Sequence, residues 1–186
     1  PRLTLKRPFD MSDYESYAES ETEGSPPEPR RIKDLVDWDV VLATKYVREV
    51  TQDLAADDVW QGVARQLLED FSNPLYDAVD LMRELGGIDA RSDHSYLHLP
   101  SIAPHPQNSG FQEWTRLVEL SRDAWVAVAQ DDAEAALQHA HGWWRRQYPL
   151  YRRLCFFAAT HHHVVAEGLA LQWLLADEGW WLWSVE

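Results

Sequence analysis

Apolar positions recur along this chain at intervals of three and four, and no stretch reads as a strand. From Gln112 onward they fall at Trp114, Leu117, Val118, Trp125 and Val128, with Ser121 in the same row. Glu113, Arg116, Glu119 and Arg122 lie largely elsewhere, so the row is one face of a 3.6-residue helix. Pairs three apart, Arg116 with Glu119 and Glu119 with Arg122, support that helix weakly. The segment before it, Gly86 to Gly110, breaks the pattern. Gly86-Gly87 end a helix, and Pro100, Pro104 and Pro106 forbid another. A loop this long within a compact domain is uncommon, and is usually functional or disordered. Here Tyr96, Leu97, Leu99 and Ile102 supply apolar anchors. Asp93, His94, Ser95, Gln107 and Asn108 can bond the backbone groups that no helix satisfies. The spacing predicts an ordered loop strapped across helices.

The remaining elements follow the same reading. A helix is expected after Lys33, with Asp34 in its first turn, running towards Leu54 on the stripe Leu35, Trp38, Leu42 and Val50. Asp57 or Asp58 caps the next, Val59 to Phe71, aligned on Val59, Val63, Leu67 and Phe71. Ser72-Asn73-Pro74 punctuates, and Pro74 opens a third helix from Leu75 to Leu85. Past the Trp114 helix, Gln130-Asp131-Asp132 makes a turn. Ala133, Ala136, Leu137, Ala140 and Trp144 then mark a helix whose small residues admit a close neighbour. Tyr148-Pro149 interrupts it, and Leu150 to Thr160 is nearly all apolar. His161 to His163 connect to a last helix, Leu169 to Ala176, and Asp177-Glu178-Gly179 stop it. Short connections imply antiparallel helix pairs. The expected fold class is therefore all-α: an irregular helical bundle or an α-solenoid-like stack of antiparallel helix pairs, with one long ordered loop. No regular internal repeat is visible.

Composition changes this picture at the ends. Pro1 to Phe9 reads as a short extended piece. Asp10 to Glu28 carries a run of carboxylates without a single Lys or Arg. Residues 1–30 are thus expected to be a flexible acidic linker, and residues 31–186 the helical domain. The chain starts at Pro1 and stops at Glu186 beside an apolar cluster, so it is expected to be a fragment of a larger protein. Its net charge of −14 disfavours nonspecific attraction to nucleic acid or anionic membrane. No long apolar run or secretory leader is present, so the expectation is a cytoplasmic protein without membrane contact. The one cysteine, Cys155, fits a reducing compartment and, within LCFFAA, a buried inert thiol. Of ten tryptophans, all but Trp38 and Trp60 follow residue 110, which suggests dense helix packing or a protein interface.

Candidate chemistry is thin. His94 and His98 stand four apart in HSYLH and, with Asp93 and His105, could ligate a metal and support a metal-dependent hydrolase. The motif lacks the glutamate of a zinc protease and sits beside Pro100, so loop-fixing hydrogen bonds are the better expectation. His161 to His163 point in different directions, and His139 and His141 flank a helix end. Ser95, Ser101 and Ser109 lack a nucleophile's setting, and no glycine-rich phosphate loop exists. Arg145, Arg146, Arg152 and Arg153, interleaved with Trp143, Trp144 and Tyr151, could hold an anionic partner or stack on bases. Gln107 and Asn108 add polar groups from the long loop to the candidate binding set. No cofactor and no enzymatic activity are expected of this segment.

The runs DLVDWDVVLA, SDHSYLHLPSIAPHPQNSGFQEWTRLVELSRDAW, WWRRQYPLYRRLCFFAA and WLLADEGWWLWSVE resemble a helical domain of large bacterial proteins. That domain of unknown function often lies C-terminal to sirtuin-like NAD-consuming domains or P-loop NTPase modules, in proteins associated with anti-phage defence. The resemblance spans roughly residues 30 to 186. It implies that any enzyme or ATPase lies in another part of the polypeptide, since no sirtuin or Walker residues occur here. This segment would then be a noncatalytic scaffold, sensor or protein-interaction surface whose partner is another domain or subunit. A nucleic-acid-contacting module using the late arginines is the alternative binding reading.

Overall fold

The computed structural model describes residues 2–5, 36–42, 46–55, 57, 59–108 and 112–183. The chain divides into two units, 1–39 and 40–186. In the first, β1 (Arg2–Leu5) pairs antiparallel with β2 (Val36–Asp39), Leu3 opposite Trp38. The extended reading of the N-terminus holds over Arg2–Leu5, and the rest of Pro1 to Phe9 lies outside the described residues. The helix expected from Lys33 does not: residues 36–39 pair as a strand, and helix α1 spans Val47–Ala55. Val36 and Trp38 are β-formers, and pairing with β1 overrides a helical stripe read across only a few turns. Most of the acidic linker, with Asp34 and Leu35, lies outside the described residues.

The second unit is all-α over its described residues. Asp57 accepts from the Val59 amide at 2.8 Å and opens α2 (Trp60–Ala64). A 3-10 turn, Arg65–Leu67, leads into α3 (Leu68–Glu84). The expected break at Ser72-Asn73-Pro74 is absent, because α3 runs straight through Pro74. A mid-helix proline strands the carbonyl four residues back. Here Pro74 and Asp70 are both exposed, so water can satisfy that carbonyl. The break falls instead at the 3-10 turn. At its far end α3 closes as expected: Gly87 N–H donates to Met82 O and Gly86 N–H to Arg83 O, both at 2.9 Å. Gly86 takes φ +76, the left-handed position such a cap demands.

After a single turn, α4 (Ser95–His98), come α5 (Thr115–Asp131), α6 (Ala133–Trp144), α7 (Pro149–Ala159), α8 (Glu167–Leu174) and the short turn α9 (Ala176–Gly179). Asp132 caps α6 by accepting from Ala135 N–H at 2.9 Å. Successive helices α5, α6, α7 and α8 pack in order, and α3 covers the other side of α5. The centre is Trp125, fully buried on α5, with Trp143 of α6 at 5.9 Å and Phe157 of α7 at 6.2 Å between ring centroids. Its indole donates to Ala136 O at 2.8 Å. That reach needs closely set helices, and α6 permits it by burying Ala136 and Ala140 completely. No described helix is long and apolar enough to cross a membrane.

Candidate functional site

The long loop folds back on the bundle, and its polar groups are spent holding it there. Asp93, buried, accepts from Ser95 N–H at 2.9 Å and from the Leu150 amide in the first turn of α7. Tyr148, the residue preceding α7, offers no side-chain cap, so a carboxylate from the loop supplies one. Arg153 reaches out of α7 to donate to Ser95 Oγ at 2.9 Å and to Leu99 O. Arg122 of α5 donates to Ile102 O at 2.7 Å, instead of pairing with Glu119; that glutamate takes Arg116. Asn108 accepts from Ser101 N–H at 3.1 Å and donates to Ser101 O and Ala103 O. Two buried guanidiniums thus satisfy carbonyls that a proline-broken backbone leaves over.

The loop's candidate metal ligands are Asp93, His94, His98 and His105. Asp93 is engaged as a cap, His94 is exposed at φ +54, and the His105 ring accepts from Gln107 N–H at 3.2 Å. His98 is half-buried. Among the described residues no group of three or more His, Cys, Asp or Glu side chains could hold a metal ion. Gln107 is exposed, and Asn108 closes its own loop. Ser101 serves the same closure, while Ser109 lies outside the described residues.

The late arginines do not form one patch. Arg145 is exposed. Arg146 lies flat over Tyr76, 3.4 Å from the ring centre, with Asp80 at 3.7 Å. Arg153 is the strap's tie. Arg152 is 8% exposed; it donates to Trp144 O and stacks on the Trp144 ring at 3.8 Å. Trp144 in turn stacks on Trp173 at 5.3 Å. Trp143 is fully buried and belongs to the core rather than to any surface. Beside Arg152 opens a cleft of about 380 Å³ walled by Arg91, Gln147, Asp177, Glu178, Trp180 and Trp181, with Ala90. Asp177 and Glu178 both take left-handed φ, +54 and +61, ahead of Gly179 at +76. Two non-glycine residues held there cost roughly 1–2 kcal/mol each.

No family model, curated protein or solved structure matches the chain.

One constellation escaped the sequence. Ser72 Oγ lies 3.1 Å from His139 Nε2, and His139 Nδ1 lies 3.3 Å from Glu69 Oε1. Burial holds His139 below its ordinary value, with Glu69 pulling the other way. In the neutral ring, Nδ1–H donates to the carboxylate and Nε2 accepts from the hydroxyl. That is the connectivity of an acyl-transfer relay. The serine is wrongly placed for it. Ser72 is fully buried within a helix, and the 660 Å³ cleft alongside is walled by Glu69 and His139 but not by Ser72. A nucleophile must meet its substrate, so the set acts as a polar tie between α3 and α6. Glu69 and Ser72 share a face three apart; only the fold brings His139 to them. Cys155, against Ala140 O, is buried as expected, and desolvation pushes its thiol far up.

Proposed function

We propose that this chain is a noncatalytic helical scaffold and protein-interaction segment that docks through its C-terminal helical end. One observation carries the reading: Leu171, Leu175, Trp180, Leu182 and Trp183 all stand about half exposed or more, Trp183 at 86%. Scattered apolar residues need no explanation, but so many large ones on one short segment are typical of surface that a partner covers. Asp93, Arg153, Arg146 and His139 are engaged in capping, strapping, stacking and tying helices together. The likeness of four runs to a helical domain of large bacterial proteins supports placing catalysis, including any role in defence, elsewhere in a longer polypeptide. The partner is then another domain of that polypeptide or a neighbouring subunit.

A photo-crosslinker at position 183 tests this within the full-length polypeptide. Crosslinks concentrated on one surface of a second domain or subunit are expected, and Leu175→Glu should reduce them severalfold. Crosslinks scattered over many surfaces and indifferent to Leu175→Glu would defeat the reading.

A further inference from the structure

We infer that the cleft beside Arg152 binds a small zwitterion of the α-amino-acid type, its carboxylate on Arg152 and its ammonium on Asp177 and Glu178. The cation is the starting point. Arg152 is more than nine-tenths buried, yet among the described residues no carboxylate forms a salt bridge with it. Its Nε is buried without a hydrogen-bond partner, and its one bond goes to a neutral carbonyl. A guanidinium so placed is under-satisfied, and a planar carboxylate is the anion whose geometry matches its fork. Desolvation lowers the Arg152 pKa and the field of Asp177 raises it, so that carboxylate influences the guanidinium without pairing with it.

The rest of the wall narrows the ligand. Arg91, Arg152, Asp177 and Glu178 all line one small space, so the cleft carries both signs of charge. A doubly charged phosphate or a nucleic-acid strand would meet the two carboxylates as repulsion. A ligand with one charge of each sign does not. The Trp181 indole donates to Asp177 Oδ2 at 2.8 Å, which fixes that carboxylate, and its ring lies 6.0 Å from the Arg152 guanidinium. Trp180 and Trp181 offer flat apolar walls to the ligand's side chain. The left-handed pair Asp177 and Glu178 is what turns both acids to this segment of chain, a strained arrangement of the kind found at ligand clamps.

Isothermal titration of the chain with L-phenylalanine and L-leucine tests the site, alongside their N-acetyl and amide forms, acetate and inorganic phosphate. Saturable binding of a free amino acid is expected, weakened at least about tenfold by masking either end, which is 1.4 kcal/mol in each case. Arg152→Gln and Glu178→Gln should each cause a similar loss. Glu178 is exposed, so its variant carries the test if Arg152→Gln fails to fold, as circular dichroism would show. No saturation up to about 10 mM overturns the inference. So does equal binding of the masked forms, tighter binding of phosphate, or an Arg152-dependent oligonucleotide complex in place of amino-acid binding.

Discussion

At the scale of single residues, hydrogen-bond satisfaction separates side chains that look alike in the sequence. Trp125 and Trp143 are both fully buried, but Trp125 has Ala136 O for its indole while the Trp143 N–H has no partner among the described residues. His139 differs from the other histidines in the same way, wedged between Ser72 and Glu69 and edge-on to Trp143 at 4.9 Å. Its folded pKa is depressed below 6.5. As pH falls through about 6.5 the unfolded chain takes up a proton there before the folded chain does. Below that point the unfolded state binds more protons, so stability drops with pH. The contribution is whole above the unfolded value and is lost as pH falls through the folded one. Urea midpoints measured between about pH 7.5 and 5 should decline more steeply for the wild type than for His139→Gln. Parallel curves would mean that His139 is not held neutral by the fold.

At the scale of elements, the long loop is the test of what periodicity can and cannot say. Its anchors Leu99 and Ile102 and its bonding side chains Asp93, Ser95 and Asn108 were legible; the exposure of Leu97 and the helical turn at Ser95–His98, beside Pro100, were not. Its fasteners were not, because Arg122 read as a helix-surface partner of Glu119 and Arg153 as one of a basic cluster, and only tertiary contact shows which carbonyls they meet. Arg153→Met keeps the stem but removes donors to Ser95 Oγ and Leu99 O. Bonds from a charged donor are worth about 1.5–3 kcal/mol each, so a loss of roughly 3 kcal/mol is expected. Amide exchange in residues 94–104 should speed up more than in α5. Uniform acceleration throughout the bundle would show that the residue holds the core rather than the loop. The helix boundaries teach the complementary lesson. Gly86 marked its cap correctly because a left-handed position is a local demand. Pro74 misled because its cost depends on whether the freed carbonyl can reach water, which is a tertiary fact. The strand at 36–39 was hidden for the same reason: its partner lies more than thirty residues earlier in the chain.

At the scale of the molecule, charge and arginine placement act together. The chain carries 17 basic against 31 acidic side chains, and the bundle withdraws Arg152 and Arg153 from the surface to satisfy its own carbonyls, with Arg122 shared between the Ile102 carbonyl and Asp123. The field that solvent meets is therefore dominated by carboxylates, a stronger argument against polyanion binding than net charge alone. It is also why the late arginine run, so conspicuous in the sequence, makes no basic face. Like charges spread over a compact body repel one another and favour the expanded chain. Salt should relieve this. Raising ionic strength from about 0.01 to 0.1 M shortens the screening length from about 30 to 10 Å, enough to silence repulsion across the molecule while leaving buried contacts such as Arg153 with Leu99 nearly untouched. The thermal midpoint should rise by several degrees over that range, and equally for sodium chloride and potassium chloride, because the mechanism is screening and not a bound cation. A midpoint that falls with salt would mean that exposed ion pairs such as Arg65 with Asp131 outweigh the surplus of acid, and the carboxylate-dominated surface argued from the buried arginines would have to be abandoned.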